Sequence, residues 1–316
     1  MAIIAARAGH EVRLWSRDAQ IVESINTTRL NARYLSSTPV PESVTAYSEM
    51  APALSEASTV VLAAPSHVVR ALLVAAQSSL DENAMVVSLS KGIEVESCKR
   101  VSEIVKEILG ARTFVCLSGP SFAQEVVAGH PTAIVAASTD IFAARAVQND
   151  LSFENLRIYT NGDVVGTELG GSVKNVMAIA AGMTIGLGFG SNSVSALITR
   201  GLAEISRLAR REGAQMETLM GLAGLGDLVL TCTGGLSRNR FVGQELGKGR
   251  NIEEITAEMS EVAEGVNTTL AVKRLADRAG LELPITNEVH AVLYEGKSAR
   301  DAVTELMSRP LREEVK

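Results

Sequence analysis

Four short apolar runs constrain this chain most: TVVLA at 59–63, AMVVSL at 84–89, TFVCL at 113–117 and TAIVAA at 132–137. Each has strand length, is rich in β-branched residues and ends in a polar or glycine-containing turn. A strand that is apolar on both faces must be covered on both faces. Such runs, separated by helical stretches like the one ending near Leu80, predict a parallel sheet with helices on either side. Residues 156–160 (LRIYT) read as the last strand, and the turn and helix-start signal at 161–163 (NGD) marks a boundary. Beyond it helical periodicity dominates, at 197–211, 251–259, 266–279 and 286–294. The expected fold is an α/β, Rossmann-like parallel-sheet domain over 1–161, followed by an all-helical domain over 162–316.

The opening fits the second part of a βαβ unit. Residues 1–10 (MAIIAARAGH) read as the middle of a helix, with no capping residue before it and Gly9 ending it. Residues 11–15 (EVRLW) read as a strand and 16–18 (SRD) as its turn. The first strand and glycine-rich turn of a complete unit would stand upstream, about 15 residues earlier. The reading favours a start assigned too late over a shortened protein, and for the chain as written it predicts an exposed sheet centre and weak dinucleotide affinity.

Residues 168–183 read as a helix with a face of small side chains, because Gly170, Ala178 and Gly182 stand at four-residue spacing. Lys174 lies on that face, with Asn175 beside it. Desolvation there would lower the lysine pKa toward the range useful for proton transfer. The alternative is a lysine that carries its head to water along an apolar stem.

Ligands of open α/β sheets bind at the carboxyl ends of the strands. Residues 16–17, 64–66, 90–92 and 118–121 fall there. Arg17, at the end of the strand that meets the adenosine ribose, suits a 2′-phosphate and argues for NADP(H), with NAD(H) still open because Asp18 is adjacent. Lys91 could hold a phosphate or a carbonyl oxygen, or be a solvated loop lysine. In the second half, the tract 221–240 reads as a glycine-rich loop between helices. Asp227, Thr231 and the cluster Ser237, Arg238, Asn239 and Arg240 supply polar groups. A serine cap with arginine just inside a helix makes a phosphate cradle.

Net charge is −6 with no block of like charge, which argues against nucleic acid as a partner. Hydrophobic residues make up 46% and aromatics 3%, so the core must be aliphatic. The most apolar tract, 176–190, is too short for membrane insertion. No signal peptide is read, and three widely separated cysteines (Cys98, Cys116, Cys232) suggest no disulfide framework and no metal site. A reducing, cytoplasmic location is expected.

Several motifs, in order, resemble the bacterial-type NAD(P)-dependent glycerol-3-phosphate dehydrogenases: SKGIE at 90–94, SGPSFA at 118–123, GSVKN at 171–175, AGLGDL at 223–228 with Thr231-Cys232, SRN at 237–239 and VAEG at 262–265. The resemblance covers essentially the whole chain and departs from the family pattern at the amino terminus. It implies reversible reduction of dihydroxyacetone phosphate to sn-glycerol 3-phosphate, a phospholipid precursor. It places Lys174 as proton donor or acceptor, with Lys91, Asn175, Asp227 and Thr231 in the catalytic group. It lines the substrate site with Lys91, Gly119, Ser121, Lys174, Asp227, Ser237, Arg238 and Asn239. It assigns Arg17, Tyr34, Lys91, Ala123, Arg238, Val262 and Glu264 to the cofactor. The partner is then a small phosphorylated molecule; a homodimer is compatible with the sequence. The rival readings are a related two-domain hydroxy-acid dehydrogenase and a non-catalytic glycerol-phosphate-binding protein.

Overall fold

The computed structural model describes residues 1–259, 263–311 and 313–314. It divides into two compact units: Met1–Ser90 with Arg100–Glu168, and Lys91–Lys99 with the described residues from Leu169 on. The short segment around Lys91 therefore packs with the second unit, and the later division falls between Glu168 and Leu169.

The first unit opens with helix Ala2–Arg7, closed by Gly9 at φ +95°, a left-handed conformation that glycine adopts without strain. Ile4 packs with Val87, Val115, Leu117, Ile134 and Ile158, while Ile3 and Ala6 pack with Ile21, Ile25, Val44 and Ala46. One short helix thus joins two apolar clusters. Strands β1 (Val12–Trp15), β2 (Leu30–Asn31), β3 (Leu35–Pro39) and β4 (Val44–Tyr47) come first, then β5 (Thr59–Leu62), β6 (Met85–Ser88), β7 (Phe114–Ser118), β8 (Thr132–Ala137) and β9 (Leu156–Asn161). β1 pairs parallel with β4, and β2 with β3 as an antiparallel hairpin. β5 to β9 form a five-stranded sheet in sequence order.

The sheet is parallel except at one pair. β8 runs antiparallel to β7, with Cys116 opposite Ala137, within the parallel-dominated sheet expected from the sequence. Residues 119–131 contain a single five-residue helix, Ala123–Val127, which at ~1.5 Å per residue is only about 7–8 Å long and does not carry the chain back along the sheet for a parallel return. Among the described residues no strand joins β1 to β5, and Thr59 and Val61 on β5 are exposed.

After β9, Asp163 starts helix Val164–Gly186 by accepting the Gly166 N–H at 2.8 Å. Every later element among the described residues is helical. The long helix is buried on all sides around Val173, Val176, Met177, Ala178 and Ile179, so it forms the centre of the second unit. The tract 221–230, read as a loop, is in fact a π-helical turn, Leu222–Gly226, running into helix Asp227–Thr233. The Gly226 N–H reaches back to the Gly221 carbonyl at 3.1 Å. Gly224 makes the turn compatible with its surroundings, since a Cβ there would overlap the Leu219 carbonyl.

Candidate active site

The small face of the long helix lets other backbone come against it. A Cβ on Gly170 would stand 2.6 Å from the Ala223 carbonyl oxygen. Gly182 and Gly186 meet the backbone of helix Arg238–Gly247, whose Gly243 and Gly247 return the contact. Main chain therefore packs on main chain on either side of Lys174. This close packing lets the lysine reach Asp227 and Thr231 on the neighbouring helix. Its Nζ donates to Asp227 Oδ1 at 2.5 Å and to Thr231 Oγ1 at 2.8 Å. The Thr231 hydroxyl donates its own hydrogen bond to the Asp227 carbonyl at 2.6 Å, which leaves the Oγ1 lone pairs to accept from the lysine. Lys91 Nζ donates to the other carboxylate oxygen, Asp227 Oδ2, at 2.7 Å. A single buried aspartate thus bridges two amines, one on each oxygen.

Two asparagines extend this network. Asn175 Nδ2 donates to the Lys91 carbonyl at 3.5 Å, and its Oδ1 accepts from Asn239 Nδ2 at 3.0 Å. Asn239 Oδ1 accepts the Gly265 N–H at 2.8 Å. Asn239, only 8% exposed, therefore links the Lys174 helix to the start of helix Glu264–Ala279.

Burial and charge act against each other here. Lys174 is 6% and Asp227 1% exposed, whereas the Lys91 side chain keeps 23% of its surface. Burial draws the Lys174 pKa down to about 8; the Asp227 carboxylate opposes that, and the like charge of Lys91 adds to it. Burial alone would push Asp227 upward, but the Lys174 and Lys91 ammonium groups outweigh it and hold the carboxyl below its usual range. Burial pushes the neighbouring Cys232 thiol up to about 12, so it is a neutral packing group rather than a nucleophile. An amine that titrates near 8 beside a fixed carboxylate can give or take a proton close to neutral pH.

The remaining expected residues divide between the units. In the second, Ser237 caps helix Arg238–Gly247 by accepting the Arg240 N–H at 3.2 Å. Arg238 opens that helix with an exposed side chain, and Arg240 Nε turns back to the Gly234 carbonyl at 3.0 Å. Glu264 begins its helix half-buried. Val262 lies outside the described residues. In the first unit, Gly119 follows β7 at φ +137° and packs on Ile134, and Ser121 Oγ donates to the Gly119 carbonyl at 3.0 Å. Ala123 opens helix Ala123–Val127. Arg17 is exposed in the turn after β1, and Tyr34 is 42% exposed in the β2–β3 turn. The hydrogen-bonded group comprises Lys174, Lys91, Asn175, Asp227, Thr231 and Asn239. The role of the Gly265 amide was missed by sequence reading, because nothing local announces a partner 26 positions away.

A sheet unit with polar turns at its strand ends, together with a helical unit holding a buried lysine bonded to an aspartate, is the architecture of a two-unit NAD(P)-dependent dehydrogenase. Family models for the amino-terminal and carboxy-terminal parts of NAD-dependent glycerol-3-phosphate dehydrogenase match residues 1–144 and 163–304. A glycerol-3-phosphate dehydrogenase [NAD(P)+] of Koribacter versatilis is 50% identical over 99% of this chain and 94% of its own length. One from Thermoanaerobacter sp. is 46% identical over 100% and 95%. The crystal structure of glycerol-3-phosphate dehydrogenase from Coxiella burnetii superposes with a TM-score of 0.95 at 38% identity, covering 98% of this chain and 94% of that one. The chain belongs to the NAD-dependent glycerol-3-phosphate dehydrogenase family. A ketopantoate reductase from Ralstonia eutropha, at 17% identity and a TM-score of 0.62, shares the fold alone.

Proposed function

We propose that this protein catalyses the reversible NAD(P)H-dependent reduction of dihydroxyacetone phosphate to sn-glycerol 3-phosphate, supplying glycerophospholipid synthesis in the cytoplasm. The observation that carries the reading is the Lys174–Asp227–Lys91 arrangement, with Lys174 drawn toward a pKa of about 8. The nicotinamide supplies the hydride. Lys174 hands its proton to the ketone oxygen as that oxygen becomes an alkoxide, and takes it back in the reverse direction. Asp227 and Thr231 aim the amine. Lys91 adds a second cation near the developing charge, which disfavours the charged form of Lys174 and so makes its proton easier to release.

The substrate phosphate is assigned to Arg238 and the opening amides of helix Arg238–Gly247, whose N-terminus is favourable for an anion. Asn239 has both side-chain groups committed to Asn175 and Gly265, so it positions that helix start. The residues present also fit a dinucleotide. An exposed Arg17 stands at the carboxyl end of β1, and Gly119, at φ +137°, turns the chain closely over Ile134 at the end of β7. Gly119, Ser121, Ala123, Tyr34 and Glu264 are assigned to the ligand-facing surfaces, with NADPH preferred over NADH on the strength of Arg17. No single helix among the described residues is long and apolar enough to cross a membrane.

The test is NADPH oxidation with dihydroxyacetone phosphate against unphosphorylated dihydroxyacetone. Turnover should depend on the phosphate and should collapse in Arg238→Ala. Equal rates on both ketones would overturn the phosphate assignment. Glycerol 3-phosphate binding without any turnover would overturn the enzyme reading.

A further inference from the structure

The turn after β1 carries Arg17 and Asp18, a second arginine reaches Asp18 from elsewhere in the unit, and the acid is already engaged. Asp18 caps helix Ala19–Thr28 by accepting the Gln20 N–H on Oδ1 at 3.0 Å. Its Oδ2 accepts Arg33 Nη1 at 3.3 Å. A carboxylate that discriminates for NAD(H) has to accept from the ribose 2′-hydroxyl. Here both oxygens face partners from the protein. Arg33 comes from the β2–β3 turn, and that hairpin is moored at its base. Arg29 donates to the carbonyls of Val40 at 3.2 Å and Val44 at 2.8 Å and also reaches that of Pro41; the Val40 N–H returns to Arg29 O at 2.7 Å. Within the turn, Asn31 Oδ1 accepts the Tyr34 N–H at 3.2 Å, and the Arg33 guanidinium lies 5.4 Å from the Tyr34 ring centroid.

We infer that Arg33, held by Asp18 and the Tyr34 ring, is a specificity-determining residue that closes with Arg17 on the 2′-phosphate of NADP(H). The inference rests on the proposed NADP preference and names the residues that would create it. Arg33 keeps 53% of its side-chain surface, and its one contact with Asp18 is long. An incoming dianion offers a stronger charge-assisted acceptor, so the guanidinium turns from the carboxylate to the phosphate. Asp18 then serves as cap and tether, and its charge no longer selects against a phosphate because a cation stands between them.

The probes are adenosine 2′,5′-bisphosphate and ADP, titrated by calorimetry into the full chain, which reads the 2′-phosphate without turnover. The unaltered protein should bind the bisphosphate more tightly than ADP. Arg33→Gln should cut that preference roughly ten- to hundredfold, as expected for one hydrogen bond to a charged group, while leaving ADP affinity in place. Arg33→Lys should restore part of it. Asp18→Asn keeps an oxygen for the helix cap and removes only the charge that tethers Arg33, so it should retain the preference. An unchanged preference in Arg33→Gln, with the preference lost in Arg17→Gln, overturns the role of Arg33 and leaves the NADP reading standing. No preference in the unaltered protein, or no binding of either probe, overturns both.

Discussion

Asp227 and Glu204 are both buried carboxylates of the helical unit, 1% and 3% exposed, and burial pushes both upward. They end on opposite sides of the ordinary range. Glu204 meets the N–H groups of Ile285 at 2.6 Å and Thr286 at 3.2 Å, with the Thr286 hydroxyl, at the start of helix Pro284–Tyr294. These donors and the charge of Arg207 do not outweigh burial, so its pKa is raised. Asp227 meets two ammonium groups and stays lowered. The difference teaches what each site is built for. Amide donors are enough to finish a helix, whereas a charge that persists out of water needs cations. The cations held by Asp227 are the groups to which chemistry is assigned.

Removing a cation from the Asp227 site should have the largest effect. Lys174→Ala is expected to lower kcat roughly a thousandfold, within the span of a lost general acid, while cofactor binding stays nearly intact. A near-native rate in stopped-flow or steady-state assays would take Lys174 out of the mechanism. Removing the anion comes next. Asp227→Asn leaves two amines against a neutral group and should cost about 3–5 kcal/mol of unfolding free energy in urea titration, the usual result of stranding a buried charge. A cost under about 1 kcal/mol would mean that the carboxylate is not what holds the lysines.

Glu204→Ala should cost about 1–3 kcal/mol by leaving helix-start amides unpaired, without moving the pH profile of turnover. A displaced profile would erase the contrast between the two carboxylates. Their pH signatures should also be opposite. The pKa of Glu204 is raised when folded, so its contribution is present below the ordinary 4.5 and fades as pH rises through the higher folded value. The pKa of Asp227 is lowered, so its contribution is present above the ordinary 3.8 and fades as pH falls. Denaturation curves of Glu204→Gln and Asp227→Asn across the acid range would show the same trend if the contrast were false.

The smallest expected effect lies in the pH profile itself. Ketone reduction needs protonated Lys174 and should decline as pH rises through about 8, while alcohol oxidation should climb across the same interval. A folded pKa near 8 against an ordinary 10.5 also means that stability from this group grows between those values and is lost as pH falls through about 8. Matching limbs in both reaction directions would assign the titration to another group.

Much of the sheet was legible. The runs at 59–63, 84–89, 113–117 and 132–137 became β5 to β8 because short, β-branched apolar runs between turn signals favour strands that pack in a sheet, although β5 keeps Thr59 and Val61 exposed. The long helix was legible from its small-residue spacing, and Asp163 from its capping position. Three features were not. The β2–β3 hairpin and β4 carry too few apolar residues to stand out, and their pairing depends on distant partners such as Ala46, held by Asn26 at 2.9 Å. The direction of β8 depended on how far a short connection can travel. The tract 221–230 looked like a flexible loop because five glycines lie within 221–235, yet its backbone coils into a π turn packed against the Lys174 helix.

Local residue chemistry singled out Lys174, Lys91, Asp227, Thr231 and the cap at Ser237 as candidates, and the ordered motifs of the family resemblance grouped them with Asn175. Tertiary structure alone decided that one aspartate bridges both lysines, that Asn239 faces inward to Asn175 and the Gly265 amide, and that Asp18 is tied to Arg33. Those outcomes depend on distances of a few ångströms between segments far apart in the chain, and the strength and sign of a charge interaction are set at that range by burial and by which atoms meet.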